Sequence, residues 1–193
     1  MQFVGAREGW QSQMAEALAK YYGKQTCSEM NRTKVLFLCT HNSARSQMAE
    51  GLLRHSYGEK YEVFSAGSDP TQVHPFAIKV MAETGIDISK QTSKSIEEFR
   101  DKDIDVVVSV CKSSAKVICP FCSSPIVRDR PEIISTTLPR AKHYLHHGFS
   151  DPSEVDGSDE EKIVAFRRTR DDIKKWIIAN FADLKTEDSD NSA

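Results

Sequence analysis

The amino-acid sequence predicts an α/β fold in which a parallel β-sheet is flanked by helices on both faces. Short, uninterrupted apolar runs of the kind that form buried parallel strands alternate along the chain with stretches of helical periodicity. The resulting order is β-α-β-α-β, with room for one more strand before a long final helix, and such alternation is typical of parallel sheets. The chain has 193 residues, which suits one such domain with modest extensions.

The first four elements follow directly from local composition. Residues 34–39 (KVLFLC) are a continuous apolar run and predict the first strand. Residues 47–55 carry apolar side chains on one helical face and predict the first helix. Residues 61–66 predict a second strand that Gly67 ends, and residues 75–83 predict a second helix that begins at a proline.

The later elements are a strand and a long helix, separated by a proline-rich segment. Residues 105–110 are the most β-branched stretch of the chain and predict the third strand. Residues 119–142 contain four prolines and predict a long loop, a feature that is usually functional or disordered in compact domains. Residues 159–181 have an amphipathic pattern and predict the final helix. These elements define a predicted domain over residues 34–182, followed by a polar tail at residues 183–193.

An amino-terminal extension precedes the predicted domain. Residues 1–33 are interpreted as holding a vestigial partial repeat, because SQMAE occurs at residues 12–16 and again at residues 46–50. Cys39 and Arg45 precede the second copy, whereas no cysteine or arginine stands at the equivalent positions before the first copy. The extension is therefore not expected to form a second site of the same kind.

Composition and charge disfavour several classes of protein. The formal net charge of -2 does not favour binding to nucleic acid or to an acidic membrane surface. No stretch is long and apolar enough to cross a bilayer, and the first residues lack the apolar run of a secretory signal. The five cysteines, an odd number without such a signal, argue against a disulfide framework and for a reducing compartment. The sequence thus predicts a cytoplasmic protein, in which a local site would have to hold any anionic substrate.

The most informative segment joins the first strand to the first helix. It places Cys39 at the end of the strand, five residues in a loop and Arg45 at the start of the helix. Five loop residues can direct their N–H groups at one tetrahedral anion, the helix N-terminus adds positive potential, and an arginine can hold two oxygens at once. The same field is expected to lower the pKa of Cys39, with Ser46 donating a hydrogen bond to the thiolate. The predicted anion-binding residues are Thr40, His41, Asn42, Ser43, Ala44 and Arg45.

Residues 35–50 resemble the low-molecular-weight protein tyrosine phosphatase superfamily, and specifically its arsenate reductase branch. The step Arg45-Ser46-Gln47 is the reductase form, whereas phosphatases of this scaffold usually carry Ser-Pro after the arginine. The likeness covers roughly residues 34–182, apart from most of the loop after Pro120. It implies a four-stranded parallel sheet flanked by helices, and the reduction of arsenate to arsenite as a step of arsenic detoxification. We assign no cofactor and no metal.

The resemblance also implies roles for three further residues. Asp151, in the step Asp151-Pro152, corresponds to the general acid of the family. Cys111 follows the third strand, and Cys119 lies eight positions later in a segment that resembles the redox segment of thioredoxin-coupled arsenate reductases. In the implied relay Cys39 forms an adduct with arsenate and then a disulfide with Cys111, which Cys119 resolves. Thioredoxin or another thiol reductant then regenerates the enzyme.

Other interpretations of the cysteines stay open. Cys111 can be a core residue and Cys119 an incidental loop thiol. Cys122 follows Cys119 at Cys-x-x-Cys spacing and can add a redox step. These three cysteines can also supply zinc ligands together with His143, His146 or His147, although a second ligand pair at standard spacing is missing.

Alternatives also exist for the site as a whole. Some relatives bind potassium at positions that correspond to Asn42, Glu50 and Ser65, but Lys94 stands where a further aspartate is expected, and its ammonium group opposes a cation. A phosphatase acting on phosphotyrosine or a small phosphate ester needs the loop and the acid but no relay, and such hydrolysis can also accompany the reductase as a side activity. A non-catalytic oxyanion sensor would bind its ligand without turnover.

Overall fold

The computed structural model describes residues 32–112 and 139–182, and within them the predicted alternation of strands and helices is confirmed. The strands are β1 (Thr33–Cys39), β2 (Tyr61–Gly67), β3 (Ile104–Ser109) and β4 (Ala141–His146), and the α-helices are α1 (Arg45–Tyr57), α2 (Pro75–Ala82) and α3 (Asp159–Phe181). Two 3-10 helices are Ile96–Phe99 and Pro152–Glu154. The predicted extension lies almost wholly outside the described residues and the polar tail wholly so, and both stay predictions.

The four strands form one parallel sheet in the order β2-β1-β3-β4. Leu38 of β1 lies opposite Ser109 of β3, and the N–H of Val110 donates to the carbonyl oxygen of Leu38 at 2.9 Å. The chain that leaves β1 at Cys39 and the chain that leaves β3 toward Cys111 therefore run side by side. They meet at the carboxyl edge of the sheet, which is where open α/β sheets bind their ligands.

Alternate residues of β1 enter two separate cores, as the period of two in a strand requires. Val35 and Phe37 pack with side chains of all three α-helices, whereas Leu36 and Leu38 pack with the 3-10 helix Ile96–Phe99. Each of these four side chains is at most 1% exposed. Helical segments thus cover both faces of the sheet and the predicted fold class is confirmed, although in the described part the second face is covered by a 3-10 turn rather than an α-helix.

Helix α3 has the bounds that its amphipathic pattern predicts. It begins with a capping box, in which Ser158 accepts from the N–H of Glu161 and the Glu161 carboxylate accepts from the N–H of Ser158. Its carbonyl end is tied to β2 by the hydroxyl of Tyr61, which donates to the carbonyl oxygen of Phe181 at 3.1 Å. Among the residues that the structure describes, no helix is long and apolar enough to span a bilayer.

The residues of strand β4 were not predicted from the sequence, because the predicted loop extends to residue 142. That prediction is wrong at residues 141–142, where β4 begins. Most of the side chains of β4 are exposed, including Leu145 at 38%, since the strand lies at the edge of the sheet. It therefore lacks the apolar run by which a buried strand is recognised, and its pairing with β3 is a property of the tertiary fold.

Candidate active site

The loop between β1 and α1 is organised around the buried side chain of Asn42. Asn42 has a φ of 47°, a left-handed conformation that asparagine tolerates better than most residues. Its Oδ1 accepts hydrogen bonds from the N–H of Lys94 at 2.8 Å and from Nε2 of Gln47 at 3.0 Å. Its carbonyl oxygen accepts from the same Gln47 amide at 3.0 Å and from the hydroxyl of Ser93 at 2.6 Å. The loop is thus held from α1 and from the segment before the 3-10 helix.

The end of β2 approaches the same loop closely at Gly67. A Cβ atom at this position would lie 2.5 Å from the carbonyl oxygen of Thr40 and 2.9 Å from the backbone nitrogen of Asn42. A side chain at residue 67 would therefore displace loop backbone, and glycine permits the close approach. From the sequence, Gly67 was predicted to end a strand, and no contact with the loop was predicted for it.

Cys39 lies at the floor of this loop, where two groups are placed to stabilise its thiolate. Its Sγ is 2.9 Å from Oγ of Ser46 and accepts a hydrogen bond from the N–H of Asn42 at 3.1 Å. The Asn42 side-chain amide donates to the same Ser46 oxygen at 2.8 Å. Because that oxygen already accepts from Asn42, the hydroxyl proton of Ser46 is left to donate to the sulfur of Cys39.

Arg45, at the first position of α1, points across the site to Asp151. The guanidinium Nη2 pairs with the Asp151 carboxylate, and Nη1 donates to the carbonyl oxygen of Phe149 at 3.4 Å. The other Asp151 oxygen accepts from the N–H of Ser153 at 3.0 Å and so begins the 3-10 helix Pro152–Glu154. Arg45 is only 8% exposed, so the pair is shielded from solvent on the arginine side.

Cys111 is buried beside the loop, two residues after β3 ends. Its Sγ lies 4.0 Å from Oγ1 of Thr40, the residue that follows the predicted nucleophile. The backbone of Gly148 passes close by, since a Cβ on Gly148 would lie 2.9 Å from the carbonyl oxygen of Cys111. Cys39 and Cys111, the two predicted catalytic cysteines that the structure describes, thus lie at the same edge of the sheet.

A cavity of about 380 Å³ opens over the loop. The residues that line it are Cys39, His41, Ser43, Ala44, Arg45, Thr71, Gln72, His74, Pro75, Asp151 and Ser153. It thus combines the predicted nucleophile, the predicted anion-binding arginine and the predicted acid in one concave site. Of the other predicted anion-binding residues, Thr40 and Asn42 face inward, toward Cys111 and the loop interior.

Comparison with known proteins decides the family. The chain matches the family model for low molecular weight phosphotyrosine protein phosphatase over residues 34–190. The chain belongs to this family. A protein of Halalkalibacterium halodurans named arsenate reductase is 43% identical over 148 residues, which are 77% of this chain and 94% of that protein.

Solved structures agree with this placement in the low molecular weight phosphatase family. One, of an arsenate reductase in the phosphate binding state, is 33% identical with a TM-score of 0.57 and covers 79% of this chain and 99% of that one. Another, of an arsenate reductase in the oxidized state, is 34% identical with a TM-score of 0.56 and covers 76% and 95%. The resemblance inferred from residues 35–50 is therefore confirmed.

The pKa of the Cys39 thiol is shifted in the direction opposite to the one expected from the sequence. Burial raises the pKa of the Cys39 thiol above its usual value, while the Ser46 hydrogen bond and the Arg45 charge lower it and the nearby Cys111 raises it. The prediction of a lowered pKa is thus wrong for this arrangement of side chains. The physical reason is that Cys39 is only 5% exposed, so the desolvation of its thiolate outweighs the Ser46 hydrogen bond and the Arg45 charge.

We expect Ser46→Ala to move the pH profile of Cys39 alkylation to higher pH. The Ser46 hydrogen bond lowers the thiol pKa, so its loss leaves the effect of burial less opposed and the pKa rises further. Iodoacetamide labelling of the Cys39 peptide, followed by mass spectrometry between about pH 6 and pH 10, measures this shift. Ser43→Ala, in the same loop but without a bond to the sulfur, is the matched control; equal profiles for the two variants would contradict the role of Ser46.

Glu50, which the resemblance implies only as a potential potassium ligand, is a buried carboxylate beneath the loop. Glu50 is 3% exposed, accepts from the hydroxyl of Ser65 and pairs with Arg54. The ammonium of Lys94 lies 3.6 Å from the same carboxylate. Whether a cation binds here stays a prediction of the sequence. Ser65 in turn accepts from the Asn42 amide at 2.9 Å.

Cys119 and Cys122 lie outside the described residues, so the second half of the relay, the extra redox step and the zinc site stay predictions. Within residues 32–112 and 139–182, no group of three or more histidine, cysteine or carboxylate side chains is arranged to hold a metal ion. His41, predicted to bind the anion, lies exposed at the cavity mouth, 4.0 Å from Asp69.

Proposed function

We propose that this protein reduces arsenate to arsenite through Cys39 and Cys111. The observation that carries the proposal is the juxtaposition of β1 and β3, which brings a second buried thiol beside the nucleophile loop, 4.0 Å from Thr40. A phosphatase needs only one nucleophilic cysteine, whereas a reductase whose reaction ends in a disulfide needs a second thiol close to the first. The relatives named arsenate reductase support the same substrate.

The first half of the proposed reaction uses Cys39, Arg45 and Asp151. The Cys39 thiolate attacks arsenic, a sulfur–arsenic bond forms, and an arsenic–oxygen bond breaks while Asp151 protonates the departing oxygen, which leaves as water. Arg45 and the N–H groups of the loop balance the negative charge of the oxyanion. An oxyanion that takes over the guanidinium also releases the Asp151 carboxylate from its ion pair. The freed carboxylate can then accept the proton that the Cys39 thiol gives up and pass it to the departing oxygen.

The second half uses the thiols alone. The Cys111 thiolate attacks the sulfur of Cys39, a disulfide forms, and the electron pair of the sulfur–arsenic bond goes to arsenic, which leaves as arsenite. The two sulfurs are oxidised and arsenic is reduced, so the electrons balance. We propose that Cys119 then attacks Cys111 and frees Cys39. Thioredoxin or another thiol reductant supplies the two electrons that restore both thiols, as expected for an enzyme of the cytoplasm.

Hydrolysis of small phosphate esters is the second candidate, because Cys39, Arg45 and Asp151 suffice for it. Phosphotyrosine is less favoured as its substrate. None of the described residues that line the cavity is a phenylalanine, tyrosine or tryptophan on which a phenyl ring can stack. We therefore propose phosphatase activity only as a side reaction.

The test is arsenate-dependent oxidation of NADPH by the wild-type chain in the presence of thioredoxin and thioredoxin reductase. We expect turnover that requires arsenate and yields a matching amount of arsenite. If the protein instead hydrolyses p-nitrophenyl phosphate readily and forms no arsenite with thioredoxin, glutathione or mycothiol as reductant, the reductase proposal is wrong and the phosphatase candidate replaces it.

A further inference from the structure

His74 is a residue of the cavity wall that the proposed chemistry does not use. It lies directly before α2 and shares the cavity with Cys39, Arg45 and Asp151. Its N–H donates to the carbonyl oxygen of Ser43 at 2.9 Å, which attaches it to the nucleophile loop. No motif in the sequence marks His74 as a site residue, although a polar residue followed by Pro75 is a recognisable helix start.

The hydrogen bonds of His74 determine which ring nitrogen carries the proton. Nδ1 accepts from the N–H of Phe76 at 3.1 Å and thereby caps α2, so Nδ1 is unprotonated. In a neutral imidazole the proton then lies on Nε2. Among the described residues, Nε2 makes no hydrogen bond. The ring of this cavity-lining residue therefore carries an unused N–H donor.

The ring is also held in place by aromatic neighbours. It stacks on Phe166 of α3 with a centroid distance of 4.6 Å and an interplanar angle of 30°, and it lies 5.3 Å from the ring of Phe76. Burial lowers the pKa of His74, with Asp151 acting in the opposite direction and Lys162 in the same one. The imidazole is thus a fixed, neutral donor near neutral pH, and a preoriented donor loses little entropy when it binds.

We propose that Nε2–H of His74 donates a hydrogen bond to the bound oxyanion, to an oxygen on the Asp151 side of the cavity. The inference rests on the proposed function, because it assigns a further ligand to the same tetrahedral substrate. His74 thereby acts as a substrate-binding residue that complements Arg45. Arg45 supplies charge, whereas His74 supplies one neutral, directional donor.

The test compares sulfate and phosphate binding to wild type, His74→Asn and His74→Ala by isothermal titration calorimetry, with Tm recorded for each. Asparagine is itself a good N-cap, so His74→Asn keeps the cap on α2 and removes the imidazole donor. We expect His74→Asn to keep Tm within about 2 °C and to weaken oxyanion binding by about fivefold, which is the size of one neutral hydrogen bond. His74→Ala should lose affinity to the same extent and also lose stability.

A second measurement uses the wild-type protein alone. Long-range ¹H–¹⁵N correlation spectra of the imidazole should show the Nε2-protonated form, with a shift of Nε2 when sulfate is added. Equal affinity in His74→Asn, or an Nε2 resonance that does not respond to sulfate, would overturn the role of His74 while leaving the proposed function intact. A wild-type protein that binds neither sulfate nor phosphate would instead overturn the anion site itself, and the two failures are thus distinguishable.

Discussion

Replacing Cys39 by serine is expected to abolish arsenate reduction. A serine hydroxyl stays protonated at neutral pH even with the hydrogen bonds that Ser46 and Asn42 offer at this position, so no sulfur–arsenic bond can form. Loss of a nucleophile that acts in every step should cost on the order of 10⁴-fold or more in turnover. The measurement is arsenate-dependent NADPH oxidation with thioredoxin and its reductase, together with direct detection of arsenite.

Two controls separate lost chemistry from lost structure in this variant. Sulfate binding to Cys39→Ser should persist, because Arg45 and the loop N–H groups do not depend on the sulfur. Cys27→Ser removes another thiol, outside the predicted domain, and should leave turnover unchanged. Residual turnover of Cys39→Ser at a rate near wild type would show that a different thiol is the nucleophile.

Replacing Cys111 by serine is expected to abolish arsenate reduction while leaving the nucleophile loop between β1 and α1 intact. Arsenite leaves only when a second thiolate attacks the sulfur of Cys39, and Cys111 is placed for that attack by the pairing of β3 with β1. Hydrolysis of p-nitrophenyl phosphate needs no second thiol and should stay within about twofold of wild type. Cys39→Ser should lose this hydrolysis as well, so the two variants have different signatures.

A single-turnover experiment tests the same step without a phosphatase assay. With arsenate and no added reductant, the wild-type protein should release about one equivalent of arsenite and lose thiols to a disulfide, whereas Cys111→Ser should release none. If Cys111→Ser turns over at the wild-type rate with an added thiol, the external thiol resolves Cys39 directly. The relay would then be wrong, although arsenate reduction itself would stand.

Much of the scaffold follows from patterns that are local in the sequence. The run at residues 34–39 predicts β1, and the bounds of α3 agree with its amphipathic pattern. The arrangement of Cys39 and Arg45 around a five-residue loop predicts an anion site, and both residues do line one cavity. The physical reason is that strand burial, helix periodicity and a strand–loop–helix turn each depend on neighbours within a few residues.

The features that only the tertiary structure decided join distant parts of the chain. Arg45 pairs with Asp151, and His74 joins the cavity through a cap on α2 and a stack on Phe166. The raised pKa of Cys39 is of the same kind, since it reflects burial in the folded protein and the proximity of Cys111. Short-range periodicity carries no information about which loops meet at the carboxyl edge of the sheet. The sequence alone therefore predicted the nucleophile and its loop, whereas packing across the sheet determined which charged and polar side chains surround them.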